Sequence, residues 1–162
     1  MERSNEIWTQ GTQMYVSGID SKGKLVVYEV EGVKDFSPPQ PTKNEIELTT
    51  LKDKAKRFMS GLIDAGEGSI TLNYLEDDKG QQFLYEMYEK NGRVEVIIGL
   101  DNGFGIDIKK TEDGYTLPDT RGWFVFNGIV KQFAIEVGQD DVVKASIVVK
   151  SSGEPKLKRK KA

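Results

Sequence analysis

Carboxylates are the groups this sequence could most readily put to chemical use, because Asp77-Asp78, Glu112-Asp113 and Asp140-Asp141 stand as adjacent pairs. Acid–base catalysis by two carboxyls needs a facing geometry and one shifted pKa. Sequence neighbours more often cap helices or form turns, and that is the expectation for all three pairs. The run Asp101-Asn102-Gly103-Phe104-Gly105-Ile106-Asp107 offers several oxygens to a cation. Its spacing departs from the EF-hand loop and the downstream Glu is missing, so a hairpin turn at Asn102-Gly103 is the simpler reading. Gly103-Phe104-Gly105 fails as a phosphate loop, since no Gly-Lys-Ser/Thr follows it. The 162 residues include no His and no Cys, which removes the usual general base, thiolate chemistry, disulfides and the commonest zinc ligands. No Ser or Thr sits in a nucleophile elbow. The expectation is a chain with no catalytic residues, no cofactor and no metal, which works through its surface.

The elements that shape such a surface read mostly as β. Thr12–Ile19 and Leu25–Val30 form a hairpin across Asp20-Ser21-Lys22-Gly23-Lys24, whose Asp, Ser and Gly suit a turn. Ser37-Pro38-Pro39-Gln40-Pro41 interrupts regular structure, and a short strand, Glu45–Thr49, follows it. From Thr50 to Glu67 no periodicity is sustained, which predicts a long loop, the kind that is usually functional or disordered. A strand then ends at Tyr74 and leads into one helix. Asp78 can cap it with Gln81 three positions on as a capping box, and Asn91-Gly92 can close it in the left-handed conformation. Phe83, Leu84, Met87 and Tyr88 form the predicted buried stripe, leaving Glu86, Glu89 and Lys90 to water. Arg93–Leu100 alternates with Val94, Val96 and Ile98 on one face, and a Gly-rich acidic exposed stretch runs on through Pro118. Trp123–Val137 reads as one or two strands bent near Gly128. Gly138-Gln139-Asp140-Asp141 then turns the chain into Val142–Lys150, with Val143, Ala145, Ile147 and Val149 on a common face. Seven or eight strands with one flanking helix predict a β-sandwich or barrel.

The composition, 37% apolar and 30% charged, suits one globular domain with a real core. The net charge of −3 hides an asymmetry, because Lys156, Lys158, Arg159, Lys160 and Lys161 crowd the last seven positions. The expectation is a folded, acidic domain over residues 1–155 and a basic, disordered tail over 156–162. A contact of that tail with nucleic acid or an acidic protein surface is the rival reading. Met1-Glu2-Arg3-Ser4-Asn5-Glu6 has no apolar signal region, and no apolar run is long enough to cross a bilayer as a helix, so no membrane anchor is expected.

The order of parts carries a resemblance. Glu47-Leu48-Thr49-Thr50-Leu51 through Ala55-Lys56, Gly61-Leu62-Ile63-Asp64-Ala65-Gly66-Glu67, the strand ending at Tyr74 and Gly80-Gln81-Gln82 opening the helix make up its first half. Arg121-Gly122-Trp123 followed by Gly128, then Gly138-Gln139-Asp140-Asp141 and Ser152-Gly153-Glu154-Pro155, make up its second. In that order, over roughly residues 10–155, the sequence resembles the major tail tube proteins of long-tailed, lambda-like bacteriophages. The resemblance implies the phage tail tube fold and a virion structural protein. It implies hexameric rings of this chain that stack into a hollow tube, through which DNA passes without specific binding. Tape measure, tail terminator and tail tip proteins are the implied partners, and assembly is implied to occur in the host cytoplasm. The segment Thr50–Glu67 corresponds to the part that reaches a neighbouring subunit or ring in that family, so Leu51, Phe58, Met59, Leu62 and Ile63 become the candidate contact residues. Two alternatives stand beside it. One is a related ring or tube former, a tail terminator or the haemolysin-coregulated tube of type VI secretion; the other is a monomeric β-barrel ligand-binding module.

Overall fold

The computed structural model describes residues 11–100, 108–111, 114–139, 142–153 and 155–160. Two pairs from the sequence reading, Glu112-Asp113 and Asp140-Asp141, and the run Asp101–Asp107 lie outside the described residues.

Strands β1 (Gln13–Ile19) and β2 (Leu25–Val30) form the expected hairpin. The Asp20 carboxylate accepts hydrogen bonds from the Lys22 and Lys24 amides, each at 2.9 Å, and the Lys24 bond above all holds its pKa below the ordinary aspartate value. The chain continues through β3 (Val33–Ser37), β4 (Thr42–Glu47), β5 (Phe58–Asp64) and β6 (Glu67–Asn73) to helix α1 (Lys79–Lys90). It finishes with β7 (Arg93–Gly99), β8 (Lys109–Thr111), β9 (Gly114–Thr116), β10 (Trp123–Glu136), β11 (Lys144–Ser151) and β12 (Lys156–Lys158). The main sheet runs β2-β1-β7-β10-β11-β6-β3, with β12 also on β10. β4-β5 and β8-β9 are separate two-stranded ribbons.

Strand β10 makes this sheet a sandwich. Its first half pairs with β7 through Trp123 to Ile129, and its second half pairs with β11 through Gly128 to Glu136. The changeover falls at Gly128, where a Cβ would overlap the Lys150 carbonyl oxygen, so only glycine lets the strand cross this closely. One 14-residue strand results, bent at the residue that marks the bend in the sequence. Val94, Val96 and Ile98 meet Ile70, Leu72, Ala145, Ile147 and Val149 in the interior.

The helix closes this core. The Asp78 carboxylate accepts from the Gln81 amide at 3.0 Å, and Asn91 ends the helix at φ 54°. The capping box itself is absent. The Gln81 side chain instead donates to the carbonyls of Glu31 and Asn73 and accepts from the Leu75 amide, which ties the helix start to the ends of β2 and β6. Phe83, Leu84 and Met87 are buried, but Tyr88 is not; it lies at the edge of the stripe beside Tyr85.

Three expectations are corrected. The stretch before Pro118 is not wholly exposed: Ile108 is buried and Tyr115 and Leu117 pack on a second cluster with Tyr15, Val27, Ile97 and Trp123. The Tyr115 hydroxyl bonds Glu95, and burial pushes its pKa far above the usual tyrosine range. The basic end is not wholly irregular, since Lys156–Lys158 pair with Trp123–Val125. The predicted loop Thr50–Glu67 contains strand β5 and the start of β6; only residues 48–57 connect β4 to β5. Arg121, fully buried, fastens the entry to β10: it donates to the carbonyls of Leu100 and Gly99 and to the Gln13 amide oxygen at 2.7–2.9 Å.

Candidate assembly surface

No residue of either strand of the β4–β5 ribbon is buried, and neither strand pairs with the main sheet. The ribbon leaves the sandwich after the Pro38-Pro39 break and returns at Gly66, which lies in the left-handed region at φ 77° with the Gln40 carbonyl oxygen 3.0 Å from where a Cβ would stand. The sequence explains why the two strands meet. Ile46 pairs with Met59, Glu47 with Phe58 and Thr42 with Asp64, each an extended residue opposite another at cross-strand contact distance.

The register sorts the candidate residues onto two faces. Met59 and Ile46 share one, which Leu48 and Leu62 extend by alternation; Phe58 and Ile63 lie on the other with Lys43, Glu45 and Glu47. Phe58, Met59 and Leu62 are 53%, 50% and 84% exposed. Leu51 stands apart from both faces, fully exposed at the tip. The structure thus brings four of the five candidates onto one strand, and adds Ile46 and Leu48, which the sequence reading had not singled out. An alternating pattern would have found them, but a bulge between Lys43 and Glu45 places three steps of β5 against two of β4, and the added residue at Gly61-Leu62 breaks the period of two.

The tip is ordered by its own polar groups. The Asp53 carboxylate accepts from the Thr50 amide at 2.7 Å, the Thr50 hydroxyl at 3.1 Å and the Arg57 guanidinium at 3.2 Å, and the Arg57 amide donates to the Thr49 hydroxyl. Such a turn presents Leu51 in a defined position. An isolated two-stranded ribbon is at best marginally stable in water, and a run of exposed apolar residues on both its faces is the mark of a contact surface.

A second surface lies at the other end of β6. Leu75, Tyr85 and Ile135 are exposed around a cleft of about 310 Å³ that Tyr74, Glu76, Gln81, Gln82 and Phe133 complete. Tyr85 meets Phe133 edge-on at 5.2 Å. Among the described residues no cluster of three acidic side chains could hold a metal, and no helix is long and apolar enough to cross a membrane.

A sandwich that displays apolar residues on a protruding hairpin and around a cleft at the other end of β6 defines a structural subunit suited to contact other chains. The chain belongs to the lambda-like phage tail tube (TTP) family, whose model matches residues 5–161. It is a structural protein of the virion tail tube. Structural protein 3 of Pseudomonas phage PAJU2 is 26% identical over 161 residues, which cover 97% of this chain and 96% of that protein. The fold is similar to that of the SPP1 tail tube, at a TM-score of 0.64 and 15% identity, with 95% of this chain and 80% of that one covered. It is also similar to a chain in the tail of an empty GTA particle computed with C6 symmetry, at a TM-score of 0.59 and 10% identity over 93% and 98% of the two chains.

Proposed function

We propose that six copies of this chain close into a ring, that the rings stack into the tail tube, and that the β4–β5 hairpin is the connector between copies. The observation that carries this reading is the hairpin's isolation: it contributes no residue to either buried cluster yet displays Leu51, Phe58, Met59, Leu62 and Ile63 to solvent. In a homopolymer such a protrusion is covered when it meets a different surface of the next copy, which gives a contact that repeats. The six-fold order of the similar GTA tail supports the ring number.

The chain acts in this reading without catalysis or a cofactor. DNA passes along the lumen unbound, and an acidic wall would favour passage by repelling phosphates. Tape measure, terminator and tail tip proteins meet the ends or interior of the tube. Residues 1–155 form the tube domain, with 156–162 an adjunct whose first residues extend the β10 edge. Electron microscopy of the purified protein at rising concentration tests the proposal. Uniform stacked rings with six-fold end views are expected, whereas single closed rings would point to a tail terminator and a persistent monomer to a ligand-binding module.

A further inference from the structure

The hairpin needs an acceptor, and the molecule carries one whose shape and charge are the complement of its tip. Resting on the connector reading above, we propose that residues 48–57 of one copy dock in the α1–β10 cleft of the next. Leu51 enters between Leu75, Tyr85 and Ile135, and Lys52, Lys54 and Lys56 face the acidic turn of Glu76, Asp77 and Asp78.

Three observations meet at this pairing. The first is charge. The tip holds Lys52, Lys54, Lys56 and Arg57 against one acid, Asp53, which Arg57 already pairs. The three lysines are exposed. Glu76 lines the cleft and Asp77 follows it in the chain, both exposed, and the next residue, Asp78, accepts from the Glu31 amide at 3.3 Å. Lys79 is the only base within that turn. Glu29 crowds Glu31 with like charge and, with partial burial and then Asp78, raises its pKa above the ordinary glutamate value. Complementary potentials of this kind fix the register of an interface and select its partner.

The second is shape. The tip offers one fully exposed leucine on a turn already ordered by Asp53, and the cleft offers an apolar floor with aromatic walls. An anchor that is ordered before binding loses little entropy on docking.

The third is placement. The hairpin rejoins the body at Glu67, the first residue of β6, and the cleft opens at Tyr74 and Leu75, just past Asn73, its last. Seven extended residues separate them by about 20 Å. Donor and acceptor at opposite ends of one strand give a head-to-tail contact, the kind that can repeat from copy to copy in an assembly.

The absence of cysteine from the chain makes a direct test clean. Leu51→Cys combined with Gln82→Cys, or with Ile135→Cys, is expected to give a ladder of covalent multimers when assembled protein is oxidised and run on a non-reducing gel. Each single variant should stop at dimers. Charge reversal gives an independent reading. Lys52→Glu with Lys54→Glu and Lys56→Glu, or Glu76→Lys with Asp77→Lys, should each raise the concentration needed for assembly at least about tenfold. The combined variant should recover assembly, which misfolding could not imitate. No ladder from either cysteine pair, and no recovery in the combined variant, would overturn the docking site. If excision of the hairpin still abolishes assembly in that case, the hairpin remains the connector and its acceptor lies elsewhere. Assembly without the hairpin would remove the connector reading as well.

Discussion

Two hairpins of this molecule solve the same local problem and differ in what covers them. β1 and β2 join through a turn held by the Asp20 carboxylate, and β4 and β5 through one held by the Asp53 carboxylate. The first continues into β7 and is covered by α1 on one face and by Ile108, Tyr115 and Leu117 on the other, so that Val16, Val27 and Val30 are at most 5% exposed. Among the described residues the second has no third strand and no helix beside it, and its apolar residues remain in water. Turn chemistry and pairing are therefore sufficient to shape a ribbon but not to bury it. Burial requires another layer, supplied within the chain for the first hairpin and, under the connector proposal, by another copy for the second.

The comparison breaks or holds on the stability of the unassembled chain. The largest effect is expected at the covered region: Leu84→Ala should cost about 2–5 kcal/mol, seen as a lower denaturant midpoint, because it opens a cavity under the helix. A loss under about 1 kcal/mol would mean that the helix is not part of the core. Removing the helix cap by Asp78→Ala should cost about 1 kcal/mol in the same measurement. Glu31→Gln should act more weakly and with a definite pH dependence. Repulsion from Glu29 and Asp78 raises the folded-state pKa of Glu31, so its ionised form is a burden on the folded chain. The variant should match the parent in acid, below the ordinary glutamate value, and gain on it as pH rises through the raised one. A gain confined to low pH would reverse the assignment. Smallest of all is the expected effect of Met59→Ser with Leu62→Ser on the uncovered hairpin, whose thermal midpoint should stay within about 2 °C of the parent while assembly weakens.

How legible each region was follows from the same difference. The helix, its Asp78 and Asn91 ends and the strands around Val94, Val96 and Ile147 stood out because a periodic pattern and a cap agree there. Tyr88 was misplaced because a stripe four residues long leaves its outermost member at the solvent boundary. β3, β5 and β12 were not foreseen: a register shift interrupts β3 after Val33 and β5 at Gly61-Leu62, and three residues at β12 are too few to show a period. The apolar residues of the hairpin are legible through the family resemblance of Thr50–Glu67, whereas their β-pairing depends on a register that a bulge hides. Ile46 and Leu48 became visible as members of that surface only through pairing with Met59 and the residues beyond it. The cleft by Tyr85 had no sequence signature, since it joins side chains from three separated segments.

The central claim is that the hairpin belongs to the assembly and not to the fold. Thr42 and Asp64 are cross-strand partners, so Lys43 through Ile63 can be replaced by a two-residue Asn-Gly turn. The excised protein should then be followed by thermal unfolding and electron microscopy side by side. The account predicts a cooperatively folded chain with an unchanged thermal midpoint and no tubes at any concentration. Tubes formed by the excised protein, or a chain that no longer folds, would contradict it.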